Sequence, residues 1–187
     1  MTRQTERNVI DLLQAQHLEI KRLFAAVTQA SGTEKEDLFH DLVRLLAVHE
    51  SAEEQVVHPT ARSAIEGGGD IVDARLAEES EAKQALADLY DMGVDHPDFD
   101  THLQALADDV IRHATAEETE EFSRMRETMS EYELSRMAGV VEAAEAVAPT
   151  RPHPMAGESA AANVALGPPI AVFDRVRDAV RNWAKSS

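Results

Sequence analysis

Apolar residues recur along most of the chain at spacings of three and four, the repeat that places side chains on one face of an α-helix. Four such stripes are present. They are Ile10, Leu13, His17, Ile20, Phe24 and Val27; Leu38, Leu42, Leu45, His49, Glu53 and Val56; Val72, Leu76, Glu79 or Ser80, Lys83, Leu86 and Tyr90; and Phe99, Leu103, Leu106, Val110, His113 and Glu117. Ala, Leu, Glu and Arg are abundant, which also favours helix. The pattern predicts four long helices.

Glycine, proline and capping sequences mark the predicted ends of these helices. Ser31-Gly32, the three glycines at 67–69 and His96-Pro97 separate the stripes. The sequences 33–36 and 130–133 have the Ser/Thr-x-x-Glu form of a capping box, so we expect the second and fifth helices to begin there.

Short loops between long amphipathic helices predict an all-α fold, an up-down-up-down four-helix bundle with a short fifth helix. We assign residues 1–148 to this bundle. Residues 149–169 are rich in Pro, Ala and Gly and are expected to form a linker. Residues 170–187 carry apolar residues at helical spacing and predict a tethered C-terminal amphipathic helix.

Charge and composition exclude several classes of function. The 187 residues include 18 basic and 35 acidic side chains and no cysteine. Of these, 13 basic and 32 acidic side chains precede residue 151, so the bundle carries −19 and the C-terminal segment +2. This balance argues against a nucleic-acid partner, and the lack of cysteine excludes thiolate metal sites. No apolar run approaches the ~20 residues of a membrane span, and no secretory signal is evident, so we expect a cytoplasmic protein with no membrane partner.

Three of the four stripes carry a histidine, and two of these also a glutamate, where an apolar residue is expected. His17 lies within the first, His49 and Glu53 within the second, and His113 and Glu117 within the fourth. Residues four apart lie on the same side of a helix, so these side chains point into the core. A single histidine on such a stripe is more often a hydrogen-bonded core residue, but buried carboxylates need a partner or a metal. The repetition therefore predicts a metal site with nitrogen and oxygen ligands.

His17 and two sequence strings together form a recognisable pattern. The strings are HESAEE at 49–54, with His58-Pro59 after it, and HATAEE at 113–118. This pattern resembles the hemerythrin-like, or HHE cation-binding, family over about residues 8–130. The resemblance implies a four-helix bundle with a non-haem diiron centre, its two iron ions bridged by carboxylates and an oxo or hydroxo group. By the same resemblance Glu53 and Glu117 would bridge the irons, His17 and His49 would serve one iron, and His113 the other.

The third stripe departs from the family pattern, which places one or two histidines on the third helix. No histidine lies between residues 59 and 95, and Ser80 stands where the ligand is expected. The second iron position is thus short of ligands, so a single metal or zinc remains an alternative to two irons.

His58 is the leading substitute for the missing ligand. In an ideal α-helix it lies about 140° away from Glu53. However, Pro59 disfavours the α conformation at His58, and a local widening of the helix would turn the imidazole inward. The alternative is a surface histidine at a helix end. Glu79 and Glu81 are weaker substitutes, because carboxylates there are expected on a solvated face or paired with Lys83.

The resemblance implies a protein that binds or reacts with O₂, peroxide or nitric oxide in an oxidative-stress response. If the protein is an enzyme, the reaction implied is catalase- or peroxidase-like. The alternatives are a non-enzymatic iron-dependent sensor, acting through a homodimer or a partner protein that the C-terminal helix contacts, and a bundle with a degraded one-metal site. The remaining histidines, His40, His96, His102 and His153, are expected in solvent.

Overall fold

The computed structural model describes residues 7–146, and every element in that range is helical. The α-helices are α1 (Val9–Gln29), α2 (Gly32–Ala52), α3 (His58–Ala64), α4 (Gly68–Met92), α5 (Phe99–Ala116), α6 (Phe122–Thr128) and α7 (Glu131–Glu145). A first π-helical segment (Glu53–Val57) joins α2 to α3, and a second (Glu117–Glu121) joins α5 to α6. The long helices of the bundle are therefore α1, α2–α3, α4 and α5–α6, and α7 is the short fifth helix. The predicted all-α bundle is confirmed.

The predicted linker at 149–169 and the predicted C-terminal helix at 170–187 lie outside the described residues and stay predictions. Within residues 7–146, none of the helices combines the length and the apolar character that a bilayer crossing requires.

The helix caps agree with the sequence in part. Ser130 and Glu133 form the predicted capping box at the start of α7, each side chain accepting a backbone N–H of the other residue. The box predicted at 33–36 is wrong, because α2 already begins at Gly32 and its N-cap, Ser31, makes no capping bond with its side chain. Gly32 has a φ of 58°, so the chain turns there in a conformation that glycine adopts without strain.

The hydrophobic core consists of two apolar clusters, one toward each end of the bundle. The first joins the start of α1 to α3, α6 and α7 and includes Leu13 and Phe122. The second joins the end of α1 to α2, α4 and α5; its Phe39 and Phe99 rings meet edge to face at 5.0 Å. His17 follows Leu13 by one helical turn and precedes Ile20 of the second cluster. The polar stripe residues therefore lie midway along the bundle, between the two clusters.

Candidate metal centre

Four histidines and four glutamates converge in the layer between the apolar clusters. Their nitrogen and oxygen atoms form three groups in which all atoms lie within 4.8 Å of one another. The groups are His17, His49, Glu53 and Glu117; Glu53, Glu79, His113 and Glu117; and His58, Glu117 and Glu121. All six residues predicted from the sequence are thus brought together, and Glu79 and Glu121 join them.

Glu53 and Glu117 are common to the first two groups and lie at the centre of the cluster. Both are fully buried, at 0% exposure. The Nε2 atoms of three histidines face these carboxylates. The distances are 3.2 Å from His49 to Glu53, 3.4 Å from His17 to Glu117 and 3.3 Å from His113 to Glu117. Two carboxylates between two sets of imidazoles can each contact two cations.

The Nδ1 atom of each of the four histidines lies against an oxygen acceptor on another helix or π segment. His17 contacts Glu118 at 2.8 Å, His49 contacts Gln16 at 2.7 Å, His58 contacts Glu121 at 3.0 Å, and His113 contacts Glu78 at 2.9 Å. Since these oxygens can only accept, Nδ1 carries the proton and donates it. At His17, His49 and His113, a neutral imidazole held in this way presents the Nε2 lone pair to the cluster, as metal-binding histidines commonly do. At His58, Nε2 lies 2.5 Å from the Glu79 carboxylate instead.

Several buried polar atoms of the cluster have no hydrogen-bond partner. They are Nε2 of His17 and His113, both carboxylate oxygens of Glu53 and Glu117, and Oε2 of Glu79 and Glu121. Buried polar atoms are normally paired, and lone-pair donors left unpaired around one point are what a bound cation requires. The donor set therefore fits a metal, with nitrogen and oxygen ligands and no sulfur.

The hemerythrin HHE cation-binding domain model matches residues 8–125 of the chain. The chain belongs to this family. The HHE domain is a cation-binding domain, and the buried cluster supplies groups that can hold the metal.

Individual relatives agree with the family assignment. A DNA nickase of a Nostoc species is 28% identical over 141 residues, which are 75% of this chain and 40% of that protein. A hemerythrin-like protein of Schizosaccharomyces pombe is 27% identical over 139 residues, 74% of this chain and 68% of that protein. The HHE domain thus spans less than half the length of the first of these relatives.

A crystal structure from Mycobacterium kansasii supports the fold. That hemerythrin HHE cation-binding domain-containing protein superposes with a TM-score of 0.66, at 20% identity, over 74% of this chain and 85% of its own.

The first π segment explains how His58 reaches the centre of the HHE domain. The His58 N–H donates to the Glu53 carbonyl, five residues back, so the two residues stand one above the other as they would not in an α-helix. His58 is only 1% exposed. Pro59 has no N–H to close an α-helical bond to the preceding turn, and the Thr60 hydroxyl donates to the Val56 carbonyl instead. The widening predicted from the sequence is present, and the surface position for His58 is wrong.

The second π segment repeats this arrangement at the other central glutamate. The Phe122 N–H donates to the Glu117 carbonyl, and the Phe122 ring stacks on the His17 ring at 5.9 Å with an angle of 10°. Glu121, one position earlier, is fully buried beside His58. Neither Glu121 nor Phe122 was predicted as part of the site.

Helix α4 contributes Glu79 where the sequence left Glu79 and Ser80 as alternatives. Glu79 is 1% exposed, whereas Ser80 and Glu81 are exposed. Lys83, one turn further, is buried with its Nζ atom against the Glu54 carboxylate and 3.6 Å from Glu79. The expectation that Glu79 lies on a solvated face is wrong, although its pairing with Lys83 is confirmed.

The pKa values reflect how closely these charges are packed. Burial lowers the pKa of His49 to about 3, and the His17 ring adds to the effect, so His49 is neutral at physiological pH. Burial also raises the pKa of Glu53 well above its usual range, and the Glu117 carboxylate raises it further. For His113, burial disfavours the proton, but the Glu117 carboxylate 3.3 Å away, and then Glu79 and Glu78, outweigh burial and raise the pKa to about 9. Metal ligands must be deprotonated, so protons and a cation compete for this centre.

A pocket connects the centre with the surface between α1, α2, α4 and α5. His17, His49, Glu79 and His113 line it, and exposed Arg112 lies at its rim. Its walls also include the apolar side chains of Ile20, Leu46, Ala82 and Val110. The space open to water-sized molecules is about 40 Å³. One water needs roughly 10–15 Å³ on this measure, so the pocket admits molecules of a few atoms.

The histidines expected in solvent are placed as predicted where the structure describes them. His40, His96 and His102 are exposed, and His153 lies outside residues 7–146.

Proposed function

We propose that the HHE domain holds two iron ions and that these bind or react with O₂, peroxide or nitric oxide. The observation that carries the proposal is the set of three histidines, His17, His49 and His113, whose Nδ1 atoms are bonded outward while their Nε2 atoms face a buried carboxylate cluster. His17, His49, Glu53, Glu117 and His113 would hold the ions. The sequence also predicts His58 as a ligand, but in the structure its Nε2 atom lies 2.5 Å from the Glu79 carboxylate.

The two central glutamates support two ions rather than one. Glu53 and Glu117 belong to both of the four-residue ligand groups, and all four of their carboxylate oxygens lack a hydrogen-bond donor. Buried charge supports this as well. Among residues 7–146, five carboxylates but only two basic side chains, Arg75 and Lys83, are buried.

Iron bound here would supply redox chemistry and a coordination position open to a small ligand. The residues around the ions control which molecules reach them. The pocket has room for about 40 Å³ of water-sized molecules, and Ile20, Leu46 and Val110 contribute apolar surface beside several charged side chains. Its size favours diatomic molecules and peroxide over larger substrates. The DNA nickase activity named for the Nostoc relative finds no support here, since this chain has a net charge of −17.

Metal analysis of the purified protein tests the proposal. We expect near two irons per chain and a visible charge-transfer absorption that changes on addition of peroxide, O₂ or nitric oxide. His49→Ala should reduce the iron content, because burial keeps its imidazole neutral and its Nε2 atom lies 3.2 Å from the Glu53 carboxylate. His102→Ala removes an exposed histidine and should leave the iron content unchanged.

Other outcomes separate the alternatives. Bound zinc, or one ion per chain, would support the one-metal alternative, for which two histidines and a carboxylate suffice. Two irons per chain with no spectral response to any of the three molecules would contradict the proposed reactivity.

A further inference from the structure

The two ligand groups that share Glu53 and Glu117 differ in their remaining donors. The nitrogen-rich position adds the imidazoles of His17 and His49. The oxygen-rich position adds one imidazole, His113, and one carboxylate, Glu79. The centre is therefore chemically asymmetric, although the two bridging carboxylates are common to both halves.

The Glu79 carboxylate reaches the oxygen-rich position. The side chain is 1% exposed, and one of its oxygens lies within 4.8 Å of the ligand atoms of Glu53, His113 and Glu117. Its Oε1 atom lies 2.5 Å from Nε2 of His58 and 4.0 Å from Nε2 of His113, and its Oε2 atom has no hydrogen-bond donor. A buried carboxylate that places one oxygen among three other donors can act as a monodentate ligand.

His58 and Lys83 hold Glu79 from two sides. Both ring nitrogens of His58 are engaged, Nδ1 with Glu121 and Nε2 with Glu79, so no lone pair of this ring is left for a cation. The Lys83 ammonium contributes positive charge 3.6 Å from Glu79 and is itself anchored by Glu54. In contrast, Nε2 of His17 and of His113 is unpaired. This separates His58, a positioning residue, from the histidines that face the cations directly.

We propose that Glu79 is the ligand contributed by α4, that His58 and Lys83 position it, and that the two metal positions consequently select different ions. This inference rests on the proposed two-metal centre. Imidazole favours zinc, iron and copper, whereas carboxylate-rich sites suit Mn²⁺ and other hard cations. The nitrogen-rich position takes the softer ion and the oxygen-rich position takes the harder one.

Competitive loading of the full-length protein tests this selection. The protein is stripped with a chelator, given one equivalent of Zn²⁺ per chain and then an excess of Mn²⁺, because Zn²⁺ in excess would outcompete Mn²⁺ at both positions. It is then analysed for metal content and for the electron paramagnetic resonance of bound Mn²⁺. We expect one Zn²⁺ and one Mn²⁺ per wild-type chain. Glu79→Gln should keep the Zn²⁺ and lose the Mn²⁺. Glu81→Gln, an exposed change on the same helix, should bind both ions.

Two variants of His58 separate positioning from ligation. His58→Ala should weaken Mn²⁺ binding by about 10–100-fold, the range for losing an outer-shell partner of a ligand. His58→Gln should restore most of the affinity, because its amide N–H can donate to Glu79. If Gln and Ala at this position weaken Mn²⁺ binding equally, His58 is itself a ligand and the proposal is wrong.

The remaining outcomes distinguish this proposal from the one on which it rests. Mn²⁺ retained by folded Glu79→Gln protein, or Zn²⁺ lost from it in place of Mn²⁺, would overturn the asymmetry while leaving a two-metal centre in place. A wild-type chain that binds a single ion under all loading conditions contradicts the two-metal centre itself.

Discussion

Glu53 is the residue at which metal binding and stability are most directly opposed. Its side chain is fully buried, and neither of its carboxylate oxygens has a hydrogen-bond donor. Burial, followed by the charge of Glu117, raises its pKa well above the usual range. An ionised carboxylate in such surroundings costs folding free energy unless a cation is close. The group suited to bridge two metals therefore destabilises the chain from which metal has been removed.

Glu53→Gln is predicted to change stability in opposite directions with and without metal. In chelator, the free energy of unfolding should rise by about 1–3 kcal/mol, because the wild type must either bury an unpaired charge or take up a proton at Glu53, and the variant does neither. With saturating iron the variant should be less stable than the wild type, because it has lost a ligand. Urea unfolding under both conditions measures the two effects.

Glu36→Gln is the matched control, since Glu36 is exposed. Its effect should stay within about 0.5 kcal/mol under both conditions. If Glu53→Gln lowers stability in chelator as well, protein groups alone compensate the carboxylate, and metal binding and stability are not opposed at Glu53.

At this scale the sequence predicts the ligands whose spacing and residue type both stand out, and it misses glutamates that resemble surface residues. The pairs His49/Glu53 and His113/Glu117 were found because residues four apart share a helix face. Glu121 also lies four residues beyond Glu117, but in the string EETEE it resembles a solvated face. The third stripe does not distinguish Glu79 from Ser80 as the inward residue. The packing of α4 in the bundle buries Glu79.

Among the elements, the junction between α3 and α4 determines how deeply α4 enters the bundle. Gly67 has a φ of 72°, which reverses the chain at little cost, and Gly68 then begins α4. A Cβ atom at Gly68 would lie 2.5 Å from the Ala61 carbonyl oxygen and 2.9 Å from the Ile65 side chain. The two helices approach so closely at Gly68 that a residue with a Cβ atom would clash.

Gly68→Ala is therefore predicted to be destabilising by about 1–3 kcal/mol, the usual cost of overpacking. Gly139→Ala is the matched control, because Gly139 lies inside α7 with nothing within 4 Å of its Cβ position. That change should raise stability by roughly 0.5–1 kcal/mol, since alanine favours helix over glycine. Thermal or urea unfolding of both variants measures the difference, and equal stabilities would show that α3 and α4 do not approach so closely.

Of the two π segments, the first could be predicted from the sequence and the second could not. Pro59 indicates a disturbance beside His58, and the widening at residues 53–57 was expected on that ground. The second π segment has no proline. Hydroxyl groups there donate to backbone carbonyls, from Thr119 to Thr115 and from Ser123 to Thr119. Serine and threonine form such bonds in regular helices too, so the sequence alone gave no signal for this turn.

For the whole molecule, the described residues form a closed core on their own. Within residues 7–146, the large hydrophobic side chains that stay exposed are Leu18, Ile111 and Tyr132, at 67%, 37% and 70%. Scattered single residues of this kind are normal on a protein surface. The C-terminal segment differs in charge, at +2 against −19, so an electrostatic contact with the bundle is the basis of the sensor alternative.

A chain shortened to residues 1–148 is predicted to fold and to bind as many metal ions as the full chain, because the centre and both apolar clusters lie within residues 7–146. Metal analysis and size-exclusion chromatography of the two chains in parallel test this. A lower metal affinity or a changed oligomeric state of the shortened chain would favour the sensor, in which the C-terminal helix and the metal are coupled.

The four outward hydrogen bonds of the histidines have a consequence for protein design. A designer who transplanted only the metal-facing side chains into another four-helix bundle would obtain imidazoles free to rotate and to exchange tautomers. The acceptors Gln16, Glu78, Glu118 and Glu121 fix each ring, and each lies on a different element from the histidine that it holds. The smallest transferable unit therefore includes these four residues, together with the axial register of the helices that carry them.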